Sequence, residues 1–462
     1  MITSDGQPRA AVMSAALAAS FLTPFMVSSV NIALPTIGRE LSMGAVALSW
    51  VTTSYLLCSA VFLIPLGKVA DAYGRKRLFS LGMLIITVSS LFSASASSGT
   101  LLIATRILHG IGAAMVFGTS MAMLTSVFPP QQRGKVLGIN VSSTYTGLML
   151  GPVLGGFITR HCGWRTLFWV NIPIGVAVLL VVTIAVRQEW REKEQGRFDL
   201  AGAILYGISI ALLLAGFSRL NSVSGMILAV SGLLCGVVFY FVELRAAAPV
   251  VPIALFRGNR VFAFSNVAAL INYSATYAVG FLMSLFLQYI KGMPPDRAGL
   301  LMVVQPIVMV LFSPFAGRLS DRIEPRIPAS IGMGCITAGL VLLSLLGPAS
   351  SMGRIVVNLM LLGLGFALFS SPNTSAVMGS VQRSRYGVAS ATVGTMRLLG
   401  QVVSMGVTML LMSIALGQEK IIPEQYPQFL SVMRTASLLF AGFCLVGMLV
   451  SLVRGNMRSA TP

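Results

Sequence analysis

The sequence predicts an all-α polytopic membrane protein: fourteen transmembrane helices, arranged as two six-helix bundles with two further helices inserted between them. Three observations carry this. Of 462 residues, 56% are hydrophobic and only 10% charged, too little charge to cover a soluble surface. Apolar stretches of about 20 residues recur from end to end, each long enough for a hydrocarbon core of roughly 30 Å. A charged hairpin, Gly67-Lys68-Val69-Ala70-Asp71-Ala72-Tyr73-Gly74-Arg75-Lys76-Arg77, is echoed 250 residues on by Gly317-Arg318-Leu319-Ser320-Asp321-Arg322-Ile323-Glu324-Pro325-Arg326. Each copy directly follows an apolar run, the trace that a duplicated membrane transporter leaves.

With no water in the hydrocarbon to satisfy backbone groups, the crossings are expected to be helices, and no short alternating β-barrel segments compete. The first run, 10–34, is too long for a signal-peptide core and carries Asn31 and Pro35 near its end, so it reads as an uncleaved first helix. Runs 46–66 and 78–96 flank the first basic hairpin. Run 100–127 contains Arg106 and His109, and run 136–158 is interrupted by Gly151-Pro152. Run 166–186 ends at the longest polar stretch, 187–197, which marks the end of an N-terminal bundle (1–186). Runs 200–218 and 225–242 form the inserted pair, within a segment 187–260. Runs 261–290, 298–316, 328–347, 354–376, 388–416 and 430–453 then make the C-terminal bundle (261–462), with the second hairpin after 316 and Arg397 inside 388–416. The insertion explains a repeat spacing of 250 rather than about 200 residues. A second correspondence supports duplication: Gly151-Pro152-Val153-Leu154-Gly155 is echoed by Gly400-Gln401-Val402-Val403-Ser404.

The net charge of +19 does not point to nucleic acid, because Lys and Arg sit in short loops between apolar runs. With the N-terminus placed inside, about 21 of these residues fall on the cytoplasmic side and about 9 on the other. Both termini are therefore expected in the cytoplasm of a bacterial or archaeal plasma membrane. The five cysteines are scattered, four of them inside apolar runs, so neither a disulfide framework nor a metal site is expected. No cofactor is implied. Two His and no intramembrane carboxylate argue against a membrane-embedded enzyme, and no Gly-x-x-x-x-Gly-Lys-Ser/Thr loop suggests an ATP-driven pump. Duplicated halves favour a rocking carrier over a channel.

Several residues stand out chemically. Gly67 and Gly74 permit a tight reversal, Asp71 can cap the next helix or pair with Arg, and Arg75, Lys76 and Arg77 hold the loop in the cytoplasm against anionic lipid. Gly317, Asp321 and Arg322 occupy the second copy. Gly147, Gly151, Pro152, Gly155 and Gly156 suit either a close hinge between helices or ordinary tight packing. Arg106 and Arg397 lie well inside runs, where a cation needs a cavity or partners; capping of backbone carbonyls is the alternative for Arg106. His109, one turn from Arg106, can titrate near neutrality, although a hydrogen-bonded structural His is the commoner case. Asn31, near the end of the first run, is a candidate for lining a cavity. Asn266, Asn272, Tyr273, Tyr277, Gln288 and Gln305 either line a cavity of amide and aromatic character or glue helices together.

These motifs resemble the major facilitator superfamily, and within it the fourteen-helix drug:proton antiporters. Gly67 to Arg77 is similar to the loop between helices two and three that marks the superfamily. Arg106-Ile107-Leu108-His109-Gly110-Ile111-Gly112 resembles its helix-four motif, with His109 where Gln is common, and Gly147 to Gly156 resembles the helix-five antiporter motif. Trp164-Arg165, Phe168 to Gly175, Phe198 to Gly202 and Phe286-Leu287-Gln288 resemble stretches of the fourteen-helix branch. The resemblance implies the major facilitator fold, a cytoplasmic gate latch at the hairpins rather than a topology anchor alone, and proton coupling or substrate binding at Arg106. It departs at one place. Asn31-Ile32-Ala33-Leu34-Pro35 is present, but the acid usual five residues before Asn31 is Met26. The expected function is a secondary transporter that exports hydrophobic or amphipathic compounds by alternating access, with protons as the implied coupling ion, acting as a monomer in the lipid bilayer. The alternative is a carrier or flippase for an anionic or lipid-like amphiphile with weak or no proton coupling.

Overall fold

A computed structural model of the chain describes residues 9–191, 199–246, 253–382, 386–417 and 419–455. Helices follow the apolar runs: α1 (Arg9–Glu40), α2 (Ala45–Tyr73), α3 (Arg75–Ala94), α4 (Gly99–Val127), α5 (Pro130–His161), α6 (Arg165–Ala185), α7 (Leu200–Phe217), α8 (Val223–Arg245), a short α9 (Ile253–Gly258), α10 (Arg260–Leu285), α11 (Pro295–Met302), α12 (Val304–Arg322), α13 (Arg326–Ser344), α14 (Met352–Gly379), α15 (Tyr386–Ala415) and α16 (Tyr426–Val453). Among the described residues, twelve helical segments are long and apolar enough to cross a membrane, α11 and α12 together making one of them. The expected count of fourteen is not reached. Helix α5 is long but carries Gln132, Asn140, Ser142, Ser143, Thr144 and Thr146 along its first half, and α7 has only 18 residues. Residues 192–198 of the polar stretch lie outside the described residues.

Side chains supply the first donors that helix ends need. Ser98 Oγ accepts from the Leu101 N–H at 3.2 Å, Asn259 Oδ1 from Phe262 at 2.9 Å and Asp199 Oδ1 from Gly202 at 2.8 Å. Between α2 and α3 the chain reverses at a single residue, Gly74, whose φ of 125° only glycine adopts without strain. The sequence places Gly67 in this turn; instead it lies inside α2, where an added Cβ would meet nothing within 4 Å.

Helix α1 packs along α5, α2 along α4, and α3 against α4 and α6. Further on, α10 packs along α15 and α16, α12 along α14, and α13 against α14 and α16. Across the middle, α5 meets α11 and α2 meets α15. Helices α7 and α8 pack on each other, and α7 touches both α2 and α15. Because the long helices alternate in direction, the start of α1, the α2–α3 turn and the end of α16 share one face, called here the terminal face. The opposite, distal face holds the α1–α2 and α5–α6 connections. Buried side chains such as Phe281, Phe286, Met405 and Phe440 fill the centre, whereas Ile184, Leu233, Phe241 and Phe315 point outward as a lipid-facing surface would require.

Candidate functional site

The distal face is bound across the two sides of the molecule. Pro35 has no N–H, so the Asn31 carbonyl one turn earlier lacks its helical donor. Ser284 Oγ of α10 donates to that carbonyl at 2.7 Å. Beyond Leu285, α10 widens into a π-turn, Phe286–Ile290, which carries Gln288 and Tyr289. Gln288 Nε2 donates to the Ile32 carbonyl at 2.8 Å, and the Tyr289 hydroxyl to the Pro35 carbonyl at 3.4 Å. Beside this, Arg160 Nη1 of α5 donates to both oxygens of Asp296 on α11, each at 2.8 Å. Two glycines make that approach possible, since a Cβ on Gly156 would collide with the Pro295 carbonyl and one on Gly299 with the Pro152 carbonyl.

The other helix-five glycines face a different neighbour. Gly147, Gly151 and Gly155 recur every fourth residue and lie against α1, where added Cβ atoms would meet Phe21, Ser28 and Ser29. Ser29 Oγ donates to the Gly151 carbonyl at 3.0 Å. Helix α15 sits on α10 in a similar way. A Cβ on Gly400 would fall 2.5 Å from the Leu270 carbonyl, and Ser404 Oγ accepts from the Ala278 N–H at 3.0 Å.

Between the two faces lie the cations. Arg106, two turns into α4 and 1% exposed, places its guanidinium carbon 4.6 Å from the centre of the Tyr55 ring and donates through Nε to the Val51 carbonyl at 3.3 Å. Its Nη1 has no hydrogen-bond partner. His109, also buried, meets the same Tyr55 ring edge-on at 5.7 Å, with Nδ1 unpartnered. Arg397 of α15 lies over Tyr273 at 5.0 Å with Nε unpartnered. Tyr273, beneath Arg397, and Tyr277 stand one turn apart on α10.

The remaining sequence candidates scatter. Asn31 Oδ1 accepts from Thr52 Oγ1 at 2.9 Å. Asn266 Nδ2 donates to the Phe262 carbonyl at 2.9 Å, and its Oδ1 is unpartnered; Asn272, fully buried, has neither side-chain atom bonded. Gln305 is half-buried near the start of α12, its backbone carbonyl against Gly363 of α14. Glu243 is buried at the end of α8, beside Asp199 and Gly202 at the start of α7.

At the terminal face, Asp71 pairs with Arg75 at 2.8 Å, and Arg75 Nη1 donates to Ser126 Oγ at 3.0 Å. The backbone N–H groups of Lys76 and Arg77 donate to the two oxygens of Glu189 at 2.8 and 3.1 Å, and the Arg75 N–H to the Trp190 carbonyl at 2.9 Å. A Cβ on Gly74 would collide with Glu189. Gly317, Asp321 and Arg322 lie in the last turns of α12, Gly317 close to Ser371 of α14. Sequence reasoning overlooked Arg454, which is 1% exposed at the end of α16 and donates to Asn373 Oδ1 at 3.0 Å and Ser265 Oγ at 3.3 Å. Its place one residue beyond the last apolar run hid it. Ser284, Arg160 and Asp296 carried no motif, although Pro35 did advertise an unsatisfied carbonyl four residues back.

A bundle of apolar helices with a polar seam and buried charges defines a membrane-embedded transporter of small molecules. The chain belongs to the major facilitator superfamily: the family's sequence profile matches residues 16–405 and 265–460. It is 30% identical over 379 residues to the riboflavin transporter RibZ of Clostridioides difficile, covering 82% of this chain and 83% of that protein. It is 31% identical over 387 residues to the multidrug resistance protein Stp of Mycobacterium tuberculosis, covering 82% and 71%. The crystal structure of a bacterial homologue of the human lysosomal transporter Spinster, in an inward-facing and occupied conformation, superposes with a TM-score of 0.70 at 15% identity, covering 96% of each chain.

Proposed function

We propose that the protein exports amphipathic small molecules by alternating access, with both termini in the cytoplasm. In this reading, residues 1–186 and 261–462 form the two rocking six-helix bundles, and α7 and α8, within 187–260, ride at the seam where α2 meets α15. Helices α5 and α7 also cross, giving fourteen spans; the 32-residue length of α5 and the position of α7 between α2 and α15 support this. The observation that carries the proposal is the seal at the distal face. Hydrogen bonds from Ser284 and Gln288 to α1, together with the Arg160–Asp296 pair, close one end of the interface between the bundles. Groups that must be desolvated together and can separate together make a gate. The Gly74 turn, with Asp71, Arg75 and Glu189, is the latch at the opposite end. Relatives named as a multidrug resistance protein and a riboflavin transporter support an amphipathic substrate.

The proposal is tested by replacing Arg160 and Asp296 with cysteine and bridging them with a bifunctional thiol reagent. Efflux of an amphipathic dye from cells should stop on bridging and return on reduction. Efflux that continues through the bridge overturns alternating access at this gate.

Proton exchange is the coupling the resemblance implies, and His109 is the titratable group it would use. One observation favours the second reading, a carrier for an anionic amphiphile with weak or no proton coupling: Arg106 and Arg397 each keep a buried guanidinium N–H without a partner.

A further inference from the structure

We infer that the Arg106–Arg397 ladder holds a planar aromatic anion and that the membrane potential, rather than proton exchange, drives this substrate outward. The inference rests on the export reading above.

The first argument is unmet charge. Among the described residues, neither guanidinium has a carboxylate within ion-pair distance. Arg106 Nη1 and Arg397 Nε are both buried and lack hydrogen-bond partners. A guanidinium taken out of water without a counter-charge is strongly disfavoured, so a ligand that brings negative charge would complete the pair. A planar acceptor group such as a carboxylate or sulfonate matches the guanidinium fork. A cation would face two fixed positive charges instead.

The second argument is shape. Each guanidinium lies over a tyrosine ring, Arg106 over Tyr55 at 4.6 Å and Arg397 over Tyr273 at 5.0 Å. Tyr273 and Tyr277 are spaced by one helical turn, about 6 Å, a step that a fused ring system spans. Flat aromatic faces and cations stacked on them suit a flat ligand.

The third argument concerns energy coupling. Both guanidiniums stay charged and return with the protein, so each cycle moves only the charge of the substrate. An anion leaving a negative-inside cell moves down the potential, by about 50-fold in equilibrium ratio per charge per 100 mV. Such export needs no carboxylate beside the two guanidiniums, in keeping with the absence of one within ion-pair distance among the described residues.

The experiment uses proteoliposomes in which a potassium gradient with valinomycin sets the potential and buffers set the pH gradient independently. The probes are a sulfonated planar dye, its uncharged sulfonamide and a quaternary ammonium dye of similar shape. The expected result is tens-fold accumulation of the sulfonate toward the positive compartment at about 100 mV, unchanged when the pH gradient is collapsed. Arg397→Gln and Arg106→Gln should each reduce the preference for sulfonate over sulfonamide at least tenfold, and Arg397→Lys should keep most of it. A merely structural role would lower the transport of all dyes together, leaving the preference intact, and that result overturns the inference. So does exchange of the quaternary dye for protons, while leaving the exporter reading in place. Failure of every dye to move under either gradient overturns the exporter reading and the inference with it.

Discussion

Ser284 of α10 donates a 2.7 Å hydrogen bond to the backbone carbonyl of Asn31 on α1, the carbonyl that Pro35 leaves without a helical donor. A defect in one bundle is thus satisfied by a hydroxyl from the other. When the bundles part at the distal face, that carbonyl must find water or remain unsatisfied. In the alternating-access reading proposed above, the proline couples the local geometry of α1 to the state of the gate.

Ser284→Ala should weaken the closed distal gate by about 1–3 kcal/mol, the range for an unsatisfied buried carbonyl. The readout is the modification rate of a cysteine introduced at Leu287, which is buried in the same seam. Reaction with a membrane-impermeant thiol reagent should quicken by at least severalfold relative to the parent. An unchanged rate would mean that the hydroxyl does not hold the gate.

Gly299→Leu and Gly156→Leu should each stop α5 and α11 from approaching, because the new side chains collide with the Pro152 and Pro295 carbonyls. Transport should fall to background while the protein still inserts. Gly353→Leu, at a site with nothing within 4 Å of an added Cβ, serves as the control and should transport normally.

Glu189 fastens the start of α3 by accepting from two consecutive backbone N–H groups. Glu189→Ala should lower stability by about 0.5–2 kcal/mol, the usual worth of a helix cap. Glu189→Gln should recover part of this, since one oxygen remains. Thermal unfolding in detergent distinguishes the three proteins.

His109→Gln separates the two coupling schemes. If His109 carries the transported proton, the variant loses the pH dependence of transport. The absence of any partner at Nδ1 and the neighbouring Arg106 charge lead to the opposite expectation, an unchanged pH profile. Initial rates of dye transport between about pH 6 and pH 8, the range in which an ordinary His titrates, decide the matter.

The helical architecture was legible because a hydrocarbon core demands long apolar runs, and the turn at Gly74 because its basic flank cannot enter lipid. Counting spans was harder, since the first half of α5 mixes a buried Asn140 with exposed Gln132, Ser142 and Thr146 and so does not read as a uniformly apolar crossing. Gly67 reads differently in the structure because a glycine close to a charged turn looks the same in sequence whether it bends the chain or lies in the helix before the bend. The pairing of Ser284 with Asn31 and of Arg160 with Asp296 joins residues more than 130 positions apart, and nothing local in the chain records it. Arg106 and His109 were visible as polar residues in an apolar run, but their shared tyrosine, Tyr55, belongs to another helix.

The proposal that the two bundles rock and open one face at a time is tested most directly by paired distance measurements. Spin labels at positions 162 and 350 report the distal face, and labels at 73 and 327 the terminal face. Alternating access predicts that, as substrate is added, some molecules lengthen the first distance and shorten the second together. A single unchanged distance at both faces, in protein that still transports, would contradict it.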